Sequence, residues 1–103
     1  MSYEEFKNLL NSTDIPFAYH VWRKPPKLPW GVYRFSNTSE MYADGILFFA
    51  VKQCQIELYT DKKQPNAEKT IEDVLTAANI AFSKSEFYIE SEQLYQILYE
   101  CEV

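Results

Sequence analysis

The chain of 103 residues carries 15 acidic and 10 basic side chains, a formal net charge of −5, and only two glycines. That balance argues against affinity built on neutralising a nucleic-acid backbone with Lys and Arg, and so few glycines leave no material for a phosphate-cradling loop. The length suits one domain, residues 1–103, able to bury roughly 65% of its unfolded surface.

Ser2-x-x-Glu5 is a capping box and starts a helix at Tyr3. Tyr3, Phe6, Leu9 and Leu10 share one face at helical spacing. Asn11-Ser12-Thr13-Asp14 ends the helix, and Pro16 blocks its return. The leading residues are acidic and polar, with no apolar leader. No apolar run approaches the roughly 18–20 residues of a membrane span. A cytosolic chain away from membranes is expected, with Cys54 and Cys101 reduced and buried as small apolar residues.

Residues 17–22 are a strand by composition, with Phe17, Tyr19 and Val21 on one face. Residues 24–29 hold three prolines, an extended loop that cannot join a sheet interior. The basic cluster Arg23-Lys24-Pro25-Pro26-Lys27, which opens it, reads as a solvated, stiff loop. Residues 30–35 form a second strand. Ser36-Asn37-Thr38-Ser39-Glu40 reads as a polar turn and Asp44-Gly45 as another. Met41-Tyr42-Ala43 between them is a strand stub or the arm of a loop.

Residues 46–60 are the longest run without a breaker. From Lys52 on they alternate, with Cys54, Ile56 and Leu58 on one face and Gln53, Gln55 and Glu57 on the other. Residues 46–51 are apolar throughout, and such a strand needs cover on both faces. Fifteen residues exceed the usual strand, so a bend or bulge is expected near Lys52-Gln53, where the pattern changes. After a turn over residues 61–65, Asn66 caps an amphipathic helix over 67–78, its apolar face made by Ala67, Ile71, Val74, Leu75 and Ala78. Asn79 suits a left-handed stop. Residues 81–90 form a strand with Phe87 and Ile89 inward and Glu86, Tyr88 and Glu90 outward. Ser91-Glu92-Gln93 turns it. Residues 94–103 return with Tyr95, Ile97, Tyr99, Cys101 and Val103 on one face, completing a hairpin. The order is α-β-β-β-α-β-β. The expected class is α+β, a two-layer, mostly antiparallel β-sheet packed on two helices.

Little in this chain suits catalysis. His20 is the only histidine, and with two distant cysteines it makes no zinc set. A Cys54–His20 pair would need two strands to adjoin with agreeing faces. No catalytic residue, metal or cofactor is assigned. Glu57, Glu86, Glu90, Glu100 and Glu102 point outward and would form one acidic sheet face if their strands adjoin, either plainly solvated or bordering a channel that carries DNA. Interaction is better supported. Leu47, Phe49 and Val51 need cover, and Trp22 and Trp30 flank the proline loop as rigid aromatic anchors. With Tyr42, these six are the candidate subunit or partner-interface residues.

The run Ile56-Glu57-Leu58-Tyr59-Thr60-Asp61-Lys62-Lys63, followed by Pro65, Glu68 and the helix to Leu75, resembles small tail-completion proteins of Firmicutes siphophages and prophages. So do Tyr3-Glu4-Glu5-Phe6, the Tyr19-His20 strand, the Ala43-Asp44-Gly45 turn, and the ending from Ser91-Glu92 through Leu98-Tyr99-Glu100. The likeness covers nearly the whole chain. It implies a tail terminator, or tail-to-head joining protein, with one sheet, flanking helices and no catalytic residues. Such a protein caps the tail tube as a ring, typically a hexamer, and docks it to the DNA-filled head. The implied partners are further copies of the chain, the tail-tube protein and head connector proteins, around DNA that is encircled rather than read by sequence. The implied location is the virion, and the host cytoplasm during assembly. Two alternatives stand beside it: a head-completion protein of the same junction, and an acidic intracellular binding module that inhibits a host enzyme.

Overall fold

A computed structural model describes the backbone of residues 1–43 and 46–103 and the side chains of residues 1–36 and 52–103. The capping box forms as expected. Ser2 Oγ accepts from the Glu5 amide at 3.1 Å, and the Ser2 amide donates to Glu5 Oε1 at 3.0 Å. These bonds, the Ser2 backbone first, hold the Glu5 carboxyl below its ordinary range. Helix α1 (Tyr3–Asn11) follows, then β1 (Phe17–Tyr19), β2 (Trp30–Ala43), β3 (Ile46–Thr60), α2 (Pro65–Ala77), β4 (Phe82–Ile89) and β5 (Leu94–Glu102). The strands lie in the order β1-β2-β3-β5-β4, with β1 parallel to β2 and every other pair antiparallel. The α+β class and the element order are those expected.

Both helices cover the same face of the sheet. Phe6 and Leu10 of α1 and Ile71 and Leu75 of α2 close over Ile56 and Leu58 of β3 and Ile97 and Tyr99 of β5, all eight fully or almost fully buried. Each such side chain contributes about 1.5–3 kcal/mol of transfer free energy. The amphipathic periods of the two helices therefore converge on one core, and among the described residues the opposite face has no helix.

Several boundaries differ from the sequence reading. Strand β1 stops at Tyr19 because His20 takes φ 70, outside the extended region. Helix α2 begins with Pro65 after an N-cap at Gln64, not after Asn66. Proline suits that first position because its missing N–H would be unpaired there anyway. Asn79 does provide the left-handed stop, at φ 59.

The larger correction concerns residues 36–40. They make no turn; β2 runs straight through them to Ala43. Thr and Ser are acceptable in a ladder when partners are available, and Asn37, Thr38, Ser39 and Glu40 stand opposite Gln53, Lys52, Val51 and Ala50. The expected irregularity near Lys52-Gln53 is found on the facing strand. Phe35 pairs with Cys54 and Asn37 with Gln53, so Ser36 is the extra residue of a bulge. A second shift lies between Met41 and Tyr42, where Phe48 is extra on β3. The ladder continues to Ala43 opposite Ile46; the expected Asp44-Gly45 turn lies outside the described residues.

Phe87 is not inward. Its register opposite Gln96 puts it on the helix-free face, half exposed. Ser83, Ser85, Phe87 and Ile89 of β4 face the uncovered side, while Phe82, Lys84, Glu86 and Tyr88 face the helices, Phe82 packing on Tyr99. There Lys84 and Glu86 meet residues of α2 and of the loop before it. Glu68, its side chain only 4% exposed, accepts from Lys84 at 2.7 Å and from Lys63 at 2.9 Å. Burial opposes its ionisation, but the two lysines outweigh burial and hold its carboxyl below the usual range.

Candidate functional site

The helix-free face is where the sequence-predicted aromatics meet. Strands β1 and β2 are parallel neighbours, so residues 20–29 must cross over between them. This crossover is the proline loop, and it lies against the helix-free face. Trp22 donates Nε1–H to the Gly31 carbonyl at 2.9 Å. Its ring meets Trp30 edge to face, centroids 6.5 Å apart at 69°. Trp30 in turn lies over Tyr59, centroids 4.8 Å apart at 34°. With Pro25 and Ile89 these rings wall an open groove of about 520 Å³. Val32 on its floor is only 5% exposed although no helix lies above it.

The groove has a polar centre that the sequence did not announce. Glu57 was expected on a wet face, yet it is 5% exposed. Its carboxylate accepts from the Arg34 guanidinium, from the Tyr59 hydroxyl at 2.6 Å and from Gln96 Nε2 at 2.9 Å. Gln96 Nε2 also donates to the Tyr59 oxygen at 2.9 Å. Burial first, and then the bond to Glu57, push the Tyr59 phenol up to about 12. Among the described residues no buried side-chain N or O lacks a partner. The network is thus closed upon itself. It fixes the positions of Tyr59 and Arg34.

The six interface candidates divide. Trp22 and Trp30 are brought together, but both are half-buried and packed on one another rather than standing free as anchors. The side chains of Tyr42, Leu47, Phe49 and Val51 lie outside the described residues. Their backbones pair in the β2–β3 ladder, Tyr42 with Leu47, Met41 with Phe49, and Ser39 with Val51. His20 is exposed at the rim of the groove, whereas Cys54 belongs to the buried core under the helices. The two residues sit on opposite sides of the sheet. The single acidic face does not form either. Glu100 and Glu102 share the helix-free face with Glu57 as expected, but Glu57 is neutralised by Arg34, Glu86 lies on the helix side bound to Lys63 at 2.6 Å, and Glu90 falls in the turn after β4. No cluster of three His, Cys, Asp or Glu suited to a metal occurs among the described residues.

Beyond the groove the sheet narrows to two strands. Strand β1 accompanies β2 only over Gly31, Val32 and Tyr33. Strand β5 accompanies β3 from Thr60 to Gln53, and Val103 exchanges both backbone bonds with Lys52 at 2.9 and 3.0 Å. From Thr38 and Val51 outward, β2 and β3 pair only with each other among the described residues. At roughly 3.4 Å per residue, this arm projects about 20 Å from Lys52 to Ile46. The long axis of the molecule is 51 Å, against 28 and 24 Å for the others.

No protein-family model matches the chain, and no curated protein matches it. Among the described residues no helix is long and apolar enough to cross a membrane.

Proposed function

We propose that this protein is a phage tail terminator, capping the tail tube as a ring and docking it to the head. The observation that carries the reading is the two-stranded arm. A two-stranded hairpin is marginal in water on its own, and strand edges without neighbours are templates for pairing. An arm of this kind is suited to completion by another chain. The sequence of residues 46–51, apolar without interruption, points the same way.

A ring needs a heterologous contact, in which one surface of a subunit meets a different surface of the next. The arm and the groove on the helix-free face supply two such surfaces on one chain. The net charge of −5 suits a conduit that DNA must traverse without adhering. The partners are other copies of the chain, the tail-tube protein and the head connector. A head-completion protein of the same junction would use the same arm and groove, and the end to which the ring binds separates the two. The acidic-inhibitor reading is weakened, because two of the five glutamates it rests on, Glu57 and Glu86, are ion-paired.

The test is light scattering and electron microscopy of the chain alone and mixed with purified tail tubes. Rings at one end of the tubes, with tube growth arrested, are the expected outcome. A chain that stays monomeric and never associates with tubes overturns the proposal.

A further inference from the structure

We propose that Cys54 and Cys101 are an oxidisable dithiol, closing to an intrachain disulfide that ties β3 to β5 at the root of the arm. The two residues stand directly opposite each other in the β3–β5 ladder. Lys52 and Val103 exchange both backbone bonds, so by alternation Cys54 and Cys101, two rungs further on, are also a hydrogen-bonded pair. Such pairs have Cα atoms about 5.5 Å apart, inside the roughly 4.4–6.8 Å range of bridged cysteines. Both side chains point to the same face, and their Sγ atoms are already in contact at 2.7 Å as free thiols. Closing the sulfurs from 2.7 Å to the roughly 2.05 Å of a disulfide asks for less than about 1 Å of movement.

The two thiols differ in access. Cys54 is 1% exposed and enclosed by the core. Cys101 is 5% exposed and lines an open groove of about 570 Å³ beside Asn79, Phe82 and Ser83. Either sulfur can donate in this contact, so access decides the order: Cys101, open to the groove, is the attacking sulfur. Its thiolate displaces one thiolate from a low-molecular-weight disulfide and forms a mixed disulfide. Cys54, losing its proton to solvent, then attacks Cys101 Sγ and expels the second small thiol. Two protein thiols are oxidised, and one small disulfide is reduced to two thiols.

The position of this bond gives it a consequence. Cys54 pairs on its other side with Phe35, the residue before the bulge at Ser36. The disulfide would thus tie β3 to β5 two rungs before the arm departs at Lys52. This inference does not depend on the phage reading, since it concerns only the chain's own thiols.

The test treats the folded full-length chain with oxidised glutathione and follows intact mass, non-reducing peptide maps and thermal midpoint. The expected product has lost two hydrogens, links the Cys54 and Cys101 peptides within one chain, and melts several degrees higher. Cys54→Ser should stop at a single glutathione adduct on Cys101, and Cys101→Ser should react about tenfold more slowly or less. The wild-type result stands without either variant. If both thiols survive native treatment for a time in which the urea-unfolded chain is fully oxidised, the proposal fails. Two separate adducts, or links only between chains, overturn it equally.

Discussion

Shortening the arm separates its contribution to assembly from its contribution to folding. The register indicates where to cut. Lys52 gives both backbone groups to Val103, so its pairing with Thr38 is a non-hydrogen-bonded one. Ser39 and Val51, one rung further out, are then a hydrogen-bonded pair, which is the pair a two-residue type I′ turn closes upon. Replacing residues 40–50 with Asn-Gly should therefore leave a sound hairpin and remove about 17 Å of arm. The deleted backbone pairs only with itself among the described residues, and an isolated hairpin is marginal. The expected stability change is within about 1 kcal/mol, a thermal shift of no more than about 4–8 °C for a domain of this size. Urea and thermal melts measure that shift; sedimentation and tube-capping measure assembly. A shortened chain that melts normally but neither forms rings nor caps tubes is the predicted result. Normal assembly would remove the arm from the mechanism. A loss beyond about 3 kcal/mol would make the arm part of the core, in the range of a buried large-to-small change.

Three further experiments test the body. In Gly31→Ala the new Cβ would collide with the Phe17 ring and lie 2.8 Å from the Glu57 carbonyl oxygen; the backbone cannot yield cheaply, so urea melts should show a cost of about 1–3 kcal/mol, and an unchanged midpoint would refute the close approach. Arg34→Met leaves the buried Glu57 with Tyr59 and Gln96 alone, at a cost of about 2–4 kcal/mol, discounted from a fully buried pair because Arg34 is 28% exposed; adding Glu57→Gln should recover most of that cost in a double-mutant cycle. Glu68 titrates lower in the folded chain than its ordinary 4.5, so its contribution is complete above the unfolded value and is lost as pH falls through the folded one. Urea melts between about pH 3 and 6 should then decline less steeply for Glu68→Gln than for the native chain; identical slopes would show that the lysine contacts do not stabilise the ionised form.

Much of the fold was legible because its signals are local. The Ser2–Glu5 box, the apolar face of α2 and the alternation of Cys54, Ile56 and Leu58 each need only neighbours in sequence, and each appears in the structure. The errors arose where pairing partners decide. Ser36-Asn37-Thr38-Ser39-Glu40 has the composition of a turn, yet β3 offers it a ladder, and the one extra residue is taken up as a bulge. Phe87 alternates correctly, but the sequence does not reveal that its side of the sheet lacks a helix. Alternation alone puts Glu57 on a wet face, because Arg34 and Gln96 reach it only through a strand order in which β3 lies between β2 and β5. An arginine among the apolar residues 30–35 is the one hint in the sequence of a buried carboxylate.

The composition of the arm argues for asymmetric association. Its β2 strand begins with the polar residues Ser36 to Glu40, whereas residues 46–51 of β3 are wholly apolar. Its two edges are therefore chemically unlike. If arms pair with arms, an isologous contact closes at two copies and goes no further. If an arm seats on the body of the next copy, each subunit both gives and receives, and a ring follows when the rotation closes. The chain with residues 40–50 replaced by Asn-Gly distinguishes these cases when mixed with the full-length chain. It retains the groove walled by Trp22, Trp30 and Tyr59 but offers no arm. In arm-to-body assembly it accepts one neighbour and ends the series, so rings should give way to short open oligomers as its fraction rises. In arm-to-arm assembly it is inert, and the full-length species should persist undiminished beside it. Mass photometry across a titration of the two chains reads the difference directly, and persistence of the full-length assembly would refute the arm-to-body contact.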